Sequence, residues 1–343
     1  GVGPLRRFVL ARAQRALRTA ADPRSRMLAN DGRIGTEHRD LGRSILNTLE
    51  RLARRRSLST HVARRAGILW LRALRSAFSD DPGTAARAFL RRHGRRPPWF
   101  LVISPLSTCN LACDDCYAAS GPTGSPMLSA DTVDRLLDEA RTEWGAPLFV
   151  FSGGEPFLYR SMGVDLLDII ERHRQSLFLI FSNGTLIDRR IAARLRRLGN
   201  TTVALSVEGT EARTEARRGR GIYARVLRSM DLLRKQGVPF GVSLTVTADS
   251  AQEALSDAVV DELFFERGAF YGFLFQWMPI GRGAASSLDR MPTPEQRLAL
   301  WRRMWQVIDE RGVFLFDFWN SGTLTGGCIA AGCEGGYVHI DWR

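Results

Sequence analysis

Short apolar runs alternate with helical patterns from residue 100 onward, and this alternation constrains the fold more than any other feature of the chain. The apolar runs have the length of buried strands and lie at residues 100–104, 148–152, 177–182, 202–207, 240–247 and 270–278. The helical patterns lie at residues 129–144, 162–174, 188–198, 223–236, 252–267 and 294–310. Because parallel strands need a crossover connection, this series predicts an α/β fold with a parallel sheet. Functional residues are then expected at the carboxyl ends of the strands.

Three closely spaced cysteines follow the first predicted strand: Cys109, Cys113 and Cys116. Three thiolates this close in sequence can bind three irons of a [4Fe–4S] cluster, whose fourth ligand normally comes from elsewhere in the chain. If no side chain supplies that ligand, one iron stays open, and an open coordination position distinguishes a reactive metal centre from a structural one. A closed zinc knuckle and a disulfide pair are the alternatives.

Polar motifs follow the next three predicted strands. The turn Ser-Gly-Gly-Glu-Pro at residues 152–156 contains two glycines, which allow close backbone approach to a ligand, and the carboxylate of Glu155, which can pair with a cationic amine. Asn183, Ser206 and Glu208 end the third and fourth strands, where they can hydrogen-bond a ribose or a carboxylate. Ordinary turn chemistry is the alternative for these three residues.

The cysteine spacing, the aromatic residue directly after the third cysteine and the Gly-Gly-Glu-Pro turn resemble the signature of the radical S-adenosylmethionine (radical SAM) superfamily. This resemblance covers roughly residues 99–320 and implies a partial (β/α)₆ barrel. It also implies a [4Fe–4S] cluster on the three cysteines and SAM bound at its open iron. The SAM-binding residues implied by the resemblance are Tyr117, Gly153, Gly154, Glu155, Pro156, Asn183, Ser206, Glu208 and Arg218.

The net charge of +13 is concentrated in residues 1–97, which contain 23 arginines and 7 acidic residues. Only one basic residue of the whole chain is a lysine, so part of this richness in arginine reflects a codon bias towards G+C. The odd number of cysteines argues against a disulfide scaffold, and thiolates that bind iron need a reducing compartment, so we expect a cytoplasmic protein. No run of eighteen apolar residues predicts a membrane span.

Residues 1–97 are predicted to form a helical, basic N-terminal segment with helices at 5–20, 41–56 and 59–78. The third helix places Arg64, Arg65, Arg72 and Arg75 opposite Trp70, Leu71, Leu74 and Phe78. We expect its apolar face to pack on the following domain; contact with an anionic membrane surface is the alternative. No nucleic-acid-binding motif accompanies the arginines, which argues against nucleic acid as a partner. Residues 91–98 are predicted to be a linker, since arginine repulsion and two prolines oppose a helix.

Residues 321–343 resemble the beginning of a SPASM/twitch extension, which carries auxiliary Fe–S clusters. The resemblance rests on Cys328 and Cys333 beside glycines and on the strand-like residues 337–342. Two cysteines cannot complete a four-thiolate cluster. We expect a truncated sequence, because the chain ends inside a strand-like pattern; a second site that is absent or completed by other ligands is the alternative. His339 is a candidate ligand for such a cluster, although a single histidine in a strand is more often structural. The predicted domains are therefore residues 1–97, 98–320 and 321–343.

The leading functional hypothesis is a radical SAM enzyme that cleaves SAM reductively to a 5′-deoxyadenosyl radical, which takes hydrogen from an unactivated carbon. It would need a reducing electron donor. The expected substrate is a peptide or protein, as for SPASM-type enzymes, or a lipid, which the aromatic residues near 270–277 and the basic N-terminal segment favour. The alternative from another class is an Fe–S electron carrier or interaction protein without SAM chemistry.

Overall fold

The computed structural model describes residues 32–55, 57–78, 83–122, 126–320 and 336–343. Its N-terminal part contains the helices α1 (Gly32–Arg54), α2 (Thr60–Phe78) and α3 (Thr84–His93). The helix predicted at residues 5–20 lies outside the described residues. The prediction missed α3, which extends into the expected linker and ends where Gly94 adopts a left-handed conformation and donates its N–H to Leu90 O.

Among the described residues, eight strands form one parallel sheet in the order β10-β1-β2-β5-β6-β7-β8-β9. These strands are β1 (Phe100–Ser104), β2 (Leu148–Phe151), β5 (Leu177–Ser182), β6 (Thr201–Ser206), β7 (Phe240–Val246), β8 (Tyr271–Gln276), β9 (Phe314–Asp317) and β10 (Tyr337–Asp341). A small antiparallel hairpin, β3 (Arg160–Ser161) and β4 (Val164–Asp165), lies outside the sheet. The sheet curls into a half-barrel, which confirms the predicted fold class.

Helices connect the parallel strands, as a parallel sheet requires. They are α4 (Ala130–Glu139), α5 (Leu166–Arg172), α6 (Arg189–Leu198), α7 (Glu211–Arg218), α8 (Ile222–Gln236), α9 (Asp257–Val260) and α10 (Pro294–Arg311). Helices α4 and α9 continue as π-helical turns, Ala140–Trp144 and Asp261–Glu266. Each of the six predicted helices has a counterpart here, whereas α7 was not predicted.

The two faces of the sheet have different partners because alternate side chains of a strand point to opposite sides. One face packs against the helices: Phe149, Ile180 and Val242 belong to a large buried cluster that also contains helix residues. The opposite, concave face carries a second cluster, formed by strand residues and by Phe270 just before β8. Its members are Phe100, Val102, Leu148, Val150, Leu179, Phe181, Ala204, Phe270, Tyr271, Phe273 and Phe314. Its aromatic members make the concave face of the sheet apolar.

Small residues on the middle strands let aromatic rings meet across the concave face. The rings of Phe181 on β5 and Phe273 on β8 lie 5.6 Å apart although β6 and β7 separate their strands. Below them Tyr271 covers Gly241, where a Cβ would overlap its ring, and the Tyr271 hydroxyl lies 3.0 Å from Thr202 Oγ1 on β6. The aromatic rings therefore form a floor inside the half-barrel.

Helix α2 closes the amino-terminal end of the sheet. Its residues Leu69 and Ala73 are buried against Leu177, the first residue of β5. Arg65 donates from Nη2 to Arg174 O at 2.8 Å, beyond the end of α5. Trp70, which we predicted on the packing face, is 42% exposed, so the observed contact face is rotated away from it.

Strand β10 extends the main sheet. Its residues Tyr337 to Asp341 pair in parallel with Phe100 to Ser104 of β1. We predicted these residues as a strand of a separate C-terminal extension, but their observed partner is the first strand of the barrel. Cys328 and Cys333 lie outside the described residues, so the auxiliary cluster and the domain boundary at residue 321 stay predictions. Within the part of the chain that the structure describes, no helix has the length and apolar character needed to cross a bilayer.

Candidate active site at the carboxyl end of the sheet

The three cysteines lie on the long loop that follows β1. Backbone hydrogen bonds join the two ends of this loop to each other. Cys109 N donates to Gly121 O at 2.8 Å, and Leu106 forms an antiparallel bridge with Met127. Cys109, Cys113 and Cys116 are partly buried free thiols. The loop therefore places the three cysteines beyond the end of β1, as the sequence predicted.

The surroundings of Cys109 suit a sulfur that binds a metal. Two N–H donors point at its Sγ, the Leu111 amide at 3.4 Å and Asn183 Nδ2 at 3.6 Å. Burial nevertheless raises the pKa of the Cys109 thiol to about 11, so the thiolate needs a compensating positive group such as iron. No three His, Cys, Asp or Glu side chains of the described residues are placed to hold a single ion. A [4Fe–4S] cluster does not require three side chains to converge on a single ion, because each thiolate binds a different iron.

The glycines of the β2 turn bring the cysteine loop close. A Cβ on Gly154 would overlap the carbonyl oxygen of Thr108, and a Cβ on Gly153 would lie 2.8 Å from Leu106 O. Gly154 N donates to Leu106 O at 2.9 Å, and Glu155 N donates to Thr108 O at 3.0 Å. We predicted that these glycines permit approach to a ligand; the approach that the structure shows is to the chain's own cysteine loop.

Glu155 connects this turn to the end of β5. Its Oε1 accepts from Ser182 Oγ at 2.8 Å and from Phe157 N at 3.2 Å, and its Oε2 accepts from Asn183 N at 2.9 Å. Burial raises the pKa of the Glu155 carboxyl to about 7 despite these three donors. Both oxygens are thus engaged within the protein. Pro156 is buried and begins the short 3₁₀ turn that follows.

We expect the stability of the metal-free chain to depend on the ionisation of Glu155. Its pKa is higher in the folded chain than in the unfolded one, so the folded state binds the proton more tightly. The free energy of unfolding should therefore fall as pH rises from about 4.5 to about 7, by roughly 3 kcal/mol. Urea unfolding of the wild type and of Glu155→Gln measures this, because the variant should lack that part of the pH dependence. The exposed control Glu139→Gln should retain it, and identical pH profiles of wild type and Glu155→Gln would contradict the prediction.

Asn183 belongs to a network of amides and hydroxyls beside Cys109. Besides its contact with the sulfur, Asn183 Nδ2 donates to Asn110 Oδ1 at 3.0 Å, and its Oδ1 accepts from Thr185 Oγ1 at 2.7 Å. Asn110 Nδ2 completes the network by donating to Thr185 Oγ1 at 2.8 Å. The sequence analysis missed Asn110 and Thr185, although each is a neighbour of a residue that it identified. The network fixes the amide of Asn183 in an orientation that places N–H towards the sulfur.

Glu208 pairs with two arginines at the end of β6. The nearly buried carboxylate binds Arg217 Nη1 at 2.6 Å and Arg218 Nε at 2.8 Å through the same oxygen. Its other oxygen accepts from Thr245 N at 3.0 Å. Glu208 raises the pKa of Arg217 against the effect of burial, so this arginine stays charged beside the cysteine loop. Two predicted SAM contacts, Glu208 and Arg218, are therefore bonded to each other.

The remaining predicted residues lie at the same end of the sheet. Tyr117 crosses from the cysteine loop to the β2 turn, where its hydroxyl lies 2.7 Å from Ser152 Oγ and accepts from Gly153 N at 3.3 Å. Its side chain is half-exposed at the mouth of the barrel. Ser206 ends β6 and is partly buried. The predicted residues named here thus lie beyond the carboxyl ends of neighbouring parallel strands.

A buried polar pair lies at the ends of β8 and β9, at the same end of the sheet. Gln276 Nε2 donates to Asp317 Oδ2 at 3.0 Å, and both residues are buried. Gln276 Oε1 is a buried acceptor without a hydrogen-bond partner among the described residues. Gln276 lies in the sixth predicted strand, whereas Asp317 was missed because β9 itself was missed.

Fold and site together define a class of protein: a parallel α/β half-barrel with three free cysteines on one loop at the carboxyl end of its sheet. Residues 103–251 match the family model of the radical SAM superfamily. This stretch of the chain therefore matches the radical SAM superfamily, and the match implies a [4Fe–4S] cluster and SAM as cofactors.

Individual relatives are distant. The chain is 32% identical over 203 residues to an AdoMet-dependent heme synthase of Methanosarcina barkeri, covering 56% of this chain and 54% of that protein. It is 26% identical over 239 residues to the sporulation killing factor maturation protein SkfB of Bacillus subtilis, covering 66% of this chain and 57% of that one. The chain thus spans about half the length of these relatives.

A solved structure supports the fold. The crystal structure of Streptococcus suis SuiB bound to the precursor peptide SuiA resembles this chain with a TM-score of 0.56. The two share 16% sequence identity, and the match covers 73% of this chain and 54% of SuiB. At this identity the similarity establishes the architecture alone.

Proposed function

We propose that the chain carries the catalytic barrel of a radical SAM enzyme, with Cys109, Cys113 and Cys116 as the cluster ligands. When bound, the cluster supplies the electron that breaks the C5′–S bond of SAM, giving a 5′-deoxyadenosyl radical that takes hydrogen from a substrate carbon. The observation that carries the proposal is the group of three free cysteines at the mouth of the half-barrel, with N–H donors directed at the buried sulfur.

The protein's own part is to position the cofactor and to compensate charge. The amide of Asn183 donates towards Cys109 Sγ, which stabilises negative charge on that sulfur. Arg218 has five N–H donors and uses two of its nitrogens on Glu208, so it can also bind the carboxylate of SAM. Glu155 and the glycines before it hold the cysteine loop against the sheet. Tyr117 presents its half-exposed ring at the opening, where an adenine can stack.

For the substrate we propose a peptide or protein side chain. Two of the similar proteins support this, since one is named a maturation protein and another was solved with a precursor peptide. The partly exposed rings of Phe181, Phe273 and Phe275 line the concave face and suit an apolar part of such a substrate. An external electron donor is part of the proposal, because SAM cleavage consumes an electron.

A lipid substrate at a membrane surface is the second candidate. The observation that favours it is the exposure of Ile68 and Trp70 on α2, 46% and 42%, in a basic segment. Liposome flotation with anionic and neutral vesicles tests it. Failure of the chain to float with anionic vesicles would remove this candidate and leave the peptide substrate.

Anaerobic reconstitution with iron and sulfide, followed by SAM and a strong reductant, tests the proposed function. The expected result is formation of 5′-deoxyadenosine that depends on both SAM and reductant. A chain that binds the cluster but forms no 5′-deoxyadenosine would instead be an Fe–S electron carrier or an interaction protein, and the proposal would be wrong.

A further inference from the structure

The segment between β8 and α10 is hydrogen-bonded to the cysteine loop. This segment, residues 281–290 and here called the clasp, forms two short 3₁₀ turns, Gly281–Ala285 and Leu288–Arg290. Arg282 makes three contacts with the loop: its backbone N donates to Cys116 O at 2.9 Å, and its guanidinium donates to Cys113 O and Ser120 O. One residue therefore binds the loop at two of its cysteines and at its far end.

Close backbone packing reinforces these bonds. Gly281 has a φ of +61°, and a Cβ there would overlap the carbonyl oxygens of Cys116 and Tyr117. A side chain at this position would push the clasp away from the loop. The glycine therefore permits the approach that Arg282 needs to reach its three acceptors.

The clasp also contacts the turn of the cysteine loop at Asp115. Asp115, between the second and third cysteines, has a left-handed φ of +57°, which is strained for a residue with a side chain. Its nearly buried carboxylate accepts from Ser286 Oγ at 2.7 Å and lies 2.6 Å from Arg290 Nη2. Both partners belong to the clasp, so the clasp supplies the interactions that keep this strained turn in place.

We infer that Arg282 is a positioning residue, which through the clasp fixes the cysteine loop in its metal-binding conformation before metal arrives. The part of this inference that concerns the cluster rests on the proposed function, whereas the part that concerns the loop does not. A guanidinium fork suits two carbonyl acceptors, and a lysine cannot reproduce that geometry. A lysine would keep the positive charge, so the two contributions of Arg282 can be separated.

The charge has a consequence for the cluster. A reduced cluster bears one more negative charge than an oxidised one, and a nearby guanidinium stabilises it. Arg282→Gln should therefore lower the reduction potential, and Arg282→Lys should keep it close to that of the wild type. A residue that only filled space would not separate these two variants.

Hydrogen exchange of the metal-free chain tests the loop. In Arg282→Gln, the amides of residues 109–121 should exchange at least about 10-fold faster, because charge-assisted hydrogen bonds are lost. In Arg282→Lys these amides should exchange almost as fast as in Arg282→Gln, because lysine cannot make both carbonyl contacts. In the exposed control Arg190→Gln they should exchange at the wild-type rate. The reconstituted variants then give the potentials.

The inference would be overturned if the amides of residues 109–121 exchanged at the wild-type rate in Arg282→Gln. It would also be overturned if the clusters of Arg282→Gln and Arg282→Lys had equal reduction potentials. If Arg282→Gln also accelerates exchange in the strands, Ser286→Ala decides, since it removes only the 2.7 Å bond to Asp115. It should accelerate exchange at residues 113–117 alone, and no change there would overturn the inference. A chain that takes up no cluster would contradict the proposed function, but the exchange data would still test the clasp.

Discussion

A chain in which Cys109, Cys113 and Cys116 are all replaced by alanine is expected to bind no [4Fe–4S] cluster and to form 5′-deoxyadenosine only at background level. The three residues are the proposed ligands at the barrel mouth, and a cluster cannot be held there without thiolates. Iron and sulfide analysis, the visible absorption of the reconstituted protein and quantification of 5′-deoxyadenosine measure the effect. In the wild type, the barrel cluster should account for about four irons and four sulfides per chain.

The double variant Cys328→Ala/Cys333→Ala is the matched control for this experiment. These cysteines are predicted to belong to an auxiliary site, so their loss should leave the barrel cluster and the cleavage of SAM intact. Loss of iron beyond the four of the barrel cluster would support the auxiliary site. The prediction fails if the triple variant keeps its colour and its SAM cleavage, because the cluster would then lie elsewhere.

The sequence predicted the barrel well where burial imposes a pattern. The strands buried on both faces are apolar throughout, and the helices between them carry an apolar stripe, so both leave a periodic signal. Helix α7 left no such signal because Thr214 is its one buried residue. Strand β9 was missed although Val313 to Phe316 are apolar in succession, because this run is only four residues long and follows directly on the helical pattern of α10. Local patterns thus failed where an element was short or polar.

Pairing between distant residues was beyond the sequence for a physical reason. Residues 337–341 have the composition of a strand, but composition does not specify which edge they join, and they join β1. Similarly, Glu208 and Arg218 were each predicted to bind SAM, and their bond to each other depends on how the loop after β6 folds back. The sequence predicted an end of the sheet for the site, whereas the contacts among the predicted residues depend on how distant segments pack in the folded chain.

The Gly-Gly-Glu turn illustrates the same limit. A glycine pair signals that something approaches the backbone closely, but the sequence does not say what approaches. In the structure it is the segment Leu106 to Thr108, immediately before the first cysteine. The turn thus positions the start of the cysteine loop directly, and any contact with the cofactor comes in addition to that.

Gly154→Ala is therefore expected to have the second large effect, on stability and on metal binding together. Its new Cβ would overlap the Thr108 carbonyl, which is backbone and cannot rotate away as a side chain can. Relief of the overlap requires the two segments to separate, which lengthens the 2.9 Å bond from Gly154 N to Leu106 O and the 3.0 Å bond from Glu155 N to Thr108 O. We expect the free energy of unfolding to fall by about 3 kcal/mol.

Urea unfolding of the metal-free chain measures this loss, and iron content after reconstitution shows whether the displaced loop still binds a cluster. Gly42→Ala is the matched control, since Gly42 lies within α1 and a Cβ there meets no atom within 4 Å. Alanine in a helix interior should stabilise the chain by about 0.5–1 kcal/mol. If Gly154→Ala unfolds like the wild type and keeps its iron, the turn has space that the structure does not show. The clasp would then contribute more than the turn to the position of the cysteine loop, and Arg282→Gln should have the larger effect on iron content.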